Sequence, residues 1–279
     1  MMIMKAIRIL KPVRLLVLAA VLIMLSGTAA AAKTVALKYD RADKSYYAIY
    51  KAEKSETVSF RMSARYNGVL FVDGIRENPS TDRTGGISLT MYNAKGLRLD
   101  YKASNYVDAT IGAGVSYAVS PGNYYFRVKV VKDNNYLVRA AYVKGTVVNH
   151  PKGGAAKARA YTLACSRAVS GVVSAAAYKT RKWFRFYVPA GSRPVRLRLL
   201  LNGGQGYTTV YVAGPNSGST RKIRLKAGNE TSVYKDVFLY RNLNGLTGPV
   251  PGWYYVLFTK GTGYEKYSSG EFALKWSYY

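Results

Sequence analysis

One short phrase occurs twice in this chain, about a domain apart: Pro121-Gly122-Asn123-Tyr124-Tyr125-Phe126-Arg127-Val128 and Pro251-Gly252-Trp253-Tyr254-Tyr255-Val256-Leu257-Phe258. Pro presets φ for a turn, and Gly lets the backbone reverse. The tyrosines and branched residues that follow favour a pleated, half-buried strand. A turn-and-strand unit written twice predicts a tandem repeat of β domains.

The flanking sequence supports that reading. Strands are expected at 46–50, at 57–62 with Val58, Phe60 and Met62 on one face, at 87–91, and at 136–143. No stretch shows sustained helical spacing with caps. Asn149 opens a small, polar, turn-rich stretch that includes His150-Pro151-Lys152-Gly153-Gly154. It reads as a linker. The expected organisation is a leader at 1–32, a first β domain at 33–148, a linker at 149–160 and a second β domain at 161–279. Laid in order over the first domain, 183–188 takes the place of 46–50, 195–201 that of 57–62, 208–212 that of 87–91, and 272–276 that of 136–143. Two complete cores on a flexible linker predict halves that fold separately.

Strands joined by regular turns form antiparallel sheets, and two sheets must cover each other's apolar faces. The fold class expected is all-β, two tandem antiparallel sandwiches. Charge fixes the register. Leu197, Leu199 and Leu201 point inward while Arg196 and Arg198 face out; Ile223 and Leu225 point inward while Lys222, Arg224 and Lys226 face out. The inverse register would bury several cations, each costing several kcal/mol unless paired.

The first residues read as an export signal: Lys5, Arg8, Lys11 and Arg14, then an apolar run from Leu15 to Leu25, then small residues to Ala32. The expected location is periplasmic or secreted, with no transmembrane span in the mature chain. Reading back in twos from Tyr279 would put Lys275 and Glu271 against lipid, so the C-terminus is expected to close a sandwich strand rather than a membrane barrel. Cys165 is the sole cysteine, which excludes an intramolecular disulfide, and is expected as a small buried hydrophobe.

Net charge is +28. Residues 33–148 hold 18 Lys/Arg against 10 acids, and residues 149–279 hold 20 against 4, so the second half carries twice the excess. An anionic partner would meet it there.

Catalytic chemistry finds no support. His150, the single histidine, sits in the linker without an orienting partner. Asp73, Glu77 and Asp82 in a loop, and Asp40 with Asp43, lie beside Arg76, Arg83 and Arg41, which are expected to pair with them in place of calcium. Glu230, Asp236, Glu265 and Glu271 have no recognisable catalytic context, and no phosphate-cradling Gly loop is present. The chain is expected to be no enzyme, with no metal and no cofactor. The candidate ligand surface is Trp183, Arg185 and Tyr187 on one strand, Arg196 and Arg198 on another, and Lys222, Arg224 and Lys226 on a third. Aromatic and Arg side chains stack on sugars and hydrogen-bond sulfates, phosphates or uronates. Nucleic acid would satisfy the same residues; outside the cytoplasm, acidic glycans and lipopolysaccharide are the commoner anions.

The order of elements at 183–189, 251–255 and 269–274, with counterparts at 46–50 and 121–128, resembles bacterial pre-peptidase C-terminal domains. The resemblance spans nearly all of the chain after the leader, as two copies. It implies a secreted, non-catalytic, jelly-roll-like sandwich that accompanies an exported hydrolase, although no peptidase domain is present. Two roles follow as expectations: a binding protein for an anionic polysaccharide or envelope surface, or an assembly partner of an exported protein in which the charge is incidental.

Overall fold

Both Pro-Gly phrases open a strand, Gly122–Val130 and Gly252–Thr259, in a computed structural model that describes residues 32–101, 104–145, 156–215, 220–227, 233–239, 248–261 and 263–279. In each phrase the first tyrosine is buried and ties its own turn. The Tyr124 hydroxyl donates to the Ser120 carbonyl at 2.6 Å, and the Tyr254 hydroxyl to the Val250 carbonyl at 3.0 Å. The repeated phrase therefore encodes a repeated local device. The leader, His150, most of the expected linker and Glu230 lie outside the described residues.

The first half comprises β1 (Lys33–Ala36), β2 (Lys38–Asp40), β3 (Ser45–Lys51), β4 (Glu56–Ala64), β5 (Gly68–Asn78), β6 (Arg83–Gly85), β7 (Ile87–Asn93), β8 (Asn105–Val107), β9 (Val115–Val119), β10 (Gly122–Val130) and β11 (Asn135–Lys144). The second comprises β12 (Tyr161–Thr162), β13 (Val169–Val173), β14 (Arg181–Val188), β15 (Val195–Gln205), β16 (Tyr207–Ala213), β17 (Thr220–Lys226), β18 (Val233–Leu239), β19 (Gly252–Thr259) and β20 (Ser269–Tyr278). One sheet of the first half runs β1-β4-β10-β7-β8; the other runs β2-β3-β11-β5-β6, with β9 also on β5. In the second half the orders are β12-β14-β19-β16-β17 and β13-β20-β15-β18.

Setting aside β1, β2, β6 and β12, the halves correspond strand for strand: β3 to β13, β4 to β14, β5 to β15, β7 to β16, β8 to β17, β9 to β18, β10 to β19 and β11 to β20. Counted in chain order within either half, the eight strands lie 2-7-4-5 in one sheet and 1-8-3-6 in the other. That connectivity is a jelly roll, all of it antiparallel. It corrects the strand alignment expected from sequence. The Trp183 strand, β14, is the counterpart of β4 rather than of the Tyr46 strand, and β15 is the counterpart of β5. The slip arises at β13, whose Val-Ser-Gly-Val-Val lacks the aromatics of β3 and so went unrecognised.

Burial follows the expected register. Val58, Phe60, Met62, Leu197, Leu199, Leu201, Ile223 and Leu225 are buried, and Arg198, Lys222, Arg224 and Lys226 are exposed. Aromatic rings fill the second core. Phe258 stacks on Phe272 at 3.9 Å and Phe186 on Trp276 at 4.9 Å, joining the two sheets, and the Trp276 indole N–H donates to the Leu163 carbonyl at 3.2 Å. Such a core holds together without covalent staples. Cys165 contributes nothing to it: it is exposed, against expectation, in the turn between β12 and β13.

Thr34–Tyr279 forms one compact unit, and β9 explains why. All five of its residues are buried. Val115, Tyr117 and Val119 enter the first core. The alternate residues, Ser116 and Ala118, are small and face the second half. Ser116 Oγ donates to the Gly204 carbonyl and accepts from the Gly204 N–H, both at 3.0 Å. Ala118 N–H donates to Ser269 Oγ at 3.2 Å, and its carbonyl accepts from Ala175 N–H at 2.8 Å. Ser120 and Ser174 hydroxyls sit 2.9 Å apart at the end of the same seam. Small side chains let the two backbones approach this closely, and the Ser116, Ala118 and Ser120 groups each find a partner across the joint.

Candidate functional site

The candidate residues fall on two different sheets. Trp183, Arg185 and Tyr187 on β14, with Lys222, Arg224 and Lys226 on β17, all lie on the outer face of the β12-β14-β19-β16-β17 sheet. Arg196 and Arg198 on β15 lie on the opposite sheet and face away from them. The structure therefore gathers six of the eight residues and separates two.

Strand register lays out the shared face. Arg181 stands opposite Thr259, which stands opposite Thr209 and then Arg224. The next row is Trp183, Leu257, Tyr211 and Lys222; the row after that is Arg185, Tyr255, Ala213 and Thr220. Tyr187 stands opposite Trp253 at one end, and Tyr207 opposite Lys226 at the other. Cations thus occupy both flanks, with aromatics between them. The contacts are specific. The Arg185 guanidinium lies 4.7 Å over the Trp253 ring, and Tyr187 meets the same ring edge-on at 5.4 Å. Lys157 Nζ sits 4.5 Å over Tyr255, and Arg224 lies 4.3 Å over Tyr207. Arg185 Nε–H donates to Thr162 Oγ1 at 3.1 Å and Arg224 is engaged by Glu265, which leaves their remaining N–H groups for an incoming oxyanion.

Sequence reasoning missed Trp253, Tyr255, Tyr211 and Tyr207. The signal was present. With Tyr254 buried, alternation obliges Trp253 and Tyr255 to face out, and both belong to the repeated phrase.

Acids temper the face at one point. Arg224 is paired with Glu265, whereas Lys222 and Lys226 make no ion pair among the described residues. On the other sheet Arg198 is engaged in a fork with Asp236, at 2.9 and 3.0 Å. Those hydrogen bonds hold the Asp236 carboxyl below, and raise Arg198 above, their ordinary ranges. Asp73 also differs from expectation. It lies in β5 rather than in a loop, buried, and its carboxylate is taken bidentately by Arg139 at 3.0 and 2.6 Å rather than by Arg76 or Arg83.

Two buried ionisable groups stand apart from the face. Asp100 is fully buried, and desolvation lifts it to about 6 against hydrogen bonds from Tyr117, Met91 and Asn105 and the nearby Arg98 charge. Lys260 is buried and lowered to about 7 by the same desolvation; its ammonium donates to the carbonyls of Ala177 and Lys266. Each is locked in its own hydrogen bonds. No cluster of metal-ligating side chains occurs among the described residues, and no described helix is long and apolar enough to cross a membrane.

No family model matches this chain, and no curated protein does. Among solved structures it is similar to the periplasmic inhibitor of g-type lysozyme PliG from Salmonella Typhimurium, at 12% identity over 40% of this chain and 99% of that one, TM-score 0.23. It is similar to the extracellular domain of ANXUR2 from Arabidopsis thaliana, at 12% identity over 82% of this chain and 83% of that one, TM-score 0.23. PNGase F, a glycosylasparaginase from Flavobacterium meningosepticum, gives 13% identity over 84% and 96%, TM-score 0.26. These likenesses are distant, and none carries a function to this chain.

Proposed function

We propose that this chain is an exported, non-catalytic binding protein, of the pre-peptidase C-terminal kind, that holds an anionic polymer on the outer face of the β14-β19-β16-β17 sheet. One observation supports the reading: Arg181, Arg185, Lys222 and Lys226 flank two strands that carry Trp253, Tyr255, Tyr211 and Tyr207 outward, on one sheet whose described residues include a single ion pair, Arg224 with Glu265. A flat aromatic ledge stacks on sugar rings, and flanking cations meet acidic substituents. The leader-like N-terminal segment is the ground for export.

The test is calorimetric binding to lipopolysaccharide and to polygalacturonate at graded salt. Replacing Arg181, Arg185 and Lys222 together by Ser should weaken binding about tenfold or more, at up to ~1 kcal/mol for each exposed charge. The pair Arg196→Ser and Arg198→Ser, on the opposite sheet, should leave binding as it is. Equal losses from both sets, or none from either, would leave the charge without a docking role.

A further inference from the structure

Two cavities meet on the first half and end on the second. One, of about 650 Å³, lies over the outer face of the β4-β10-β7 sheet and is lined by Arg76, Arg127 and Lys129 with Ser88, Ser104 and Tyr92. The other, of about 670 Å³, has Tyr101, Asn105 and Tyr106 on one side and Gln205, Tyr207 and Lys226 on the other. Ser88 and Ser104 line both cavities, so the two adjoin and together make a groove whose lining extends from the first sandwich to the second.

The lining is chemically uniform in one respect. Neither cavity has Asp or Glu among its lining residues. Cations line each cavity, Arg76, Arg127 and Lys129 in one and Lys226 in the other. Beside them are hydroxyls, two side-chain amides and tyrosine rings. The Arg127 guanidinium is held 4.1 Å over Tyr92, and Tyr101 meets Tyr207 edge-on at 6.4 Å across the joint. The Gln205 amide is fixed from behind, its oxygen accepting the Tyr101 N–H at 3.0 Å. Neutral donors and acceptors dense enough to meet ring hydroxyls, with cations in each cavity, fit a polyhydroxylated chain carrying spaced acidic groups.

We infer that this groove binds a single acidic oligosaccharide, extended across both halves at once. The inference rests on the proposed polyanion role, since Tyr207 and Lys226 belong both to the groove and to the sheet face. It assigns recognition of a defined chain length to the groove and leaves the broad face to the polymer.

The full chain would be titrated with three acidic hexasaccharides (uronate, sulfated and phosphorylated), a neutral hexasaccharide and a single-stranded oligonucleotide. The expected result is 1:1 binding of at least one acidic hexasaccharide, weakened roughly tenfold by Arg127→Ser with Lys129→Ser and up to about fivefold by Lys226→Ser. Tyr106→Ala should weaken the same complex. The face variant Arg181→Ser, Arg185→Ser, Lys222→Ser should retain hexasaccharide binding while its polymer binding weakens. Should the groove variants bind as the parent does, or no acidic hexasaccharide bind, the groove has no such role even if the face holds polymer. Tighter oligonucleotide binding that depends on Arg127 and Lys129 would overturn the carbohydrate assignment.

Discussion

Asp100 shows what a single buried carboxyl does to this molecule. In the folded chain it keeps its proton up to about pH 6, whereas unfolded it would release it near 3.8. Between those values the native state binds more protons, so the contribution of Asp100 is complete below about 3.8 and is lost as pH rises through about 6. The difference corresponds to about 3 kcal/mol. Lys260 works in the opposite direction. Its folded value of about 7 lies below 10.5, so its contribution is present above 10.5 and is lost as pH falls toward 7. Urea midpoints measured across pH should therefore decline between about 4 and 6, and Asp100→Asn should remove that decline while leaving the alkaline limb in place. Midpoints of the variant that still track the parent's acid slope would mean that Asp100 does not titrate in this range.

At the scale of elements, the bulge in β15 sets how closely β15 packs on β20, beside the joint between the halves. The register shifts between Asn202 and Gly204 where β15 passes β20. Gly204 has φ +108, and a Cβ there would lie 2.2 Å from the Ser269 carbonyl oxygen. Gly96, in the β7 turn, also has positive φ, +72, but nothing stands within 4 Å of its Cβ position. Gly96→Ala should cost ~1 kcal/mol, the conformational penalty alone. Gly204→Ala must also push β15 away from β20 and should cost ~3 kcal/mol or more by chemical denaturation. Similar losses for both would mean that β15 and β20 part easily at the bulge.

The same elements show what the sequence could and could not reveal. Inward and outward positions on β15 and β17 were legible because the wrong register would bury a row of cations. The six gathered site residues follow from that alternation. Strand partnership was not legible at β13, which is short and without aromatics, nor in β5, where Asp73 read as loop acid because its partner Arg139 lies 66 positions away. β9 was missed because both its faces are buried, one by its own core and one by the other half. Ser116, Ala118 and Gly204 gave no signal in the sequence for the same reason that they form a joint: they are small.

For the whole molecule, that joint ties the two sandwiches together. The linker and the two cores predicted halves that come apart on cleavage. The hydrogen bonds joining Ser116 to Gly204, Ala118 to Ala175 and Ser269, and Ser120 to Ser174 lead to a different expectation. Protein nicked between residues 144 and 159 should elute at the size of the intact chain and separate only in denaturant. It should also melt in one transition. Two independent fragments after nicking, each melting at its own temperature, would return the chain to the beads-on-a-linker description.

The seam also sets an order of events during synthesis. The first half emerges with Val115, Tyr117 and Val119 able to enter its own core at once. The other side of β9 must wait for Ala175 and Gly204, and Ala118 N–H finds its acceptor on Ser269, 151 residues later. Domains form from the N-terminus as the chain appears, so the first jelly roll spends that interval with an uncovered strand. A chain released early, or stalled before β20, presents this strand to whatever is nearby. Synthesis thus delivers near its end the residue that closes the molecule.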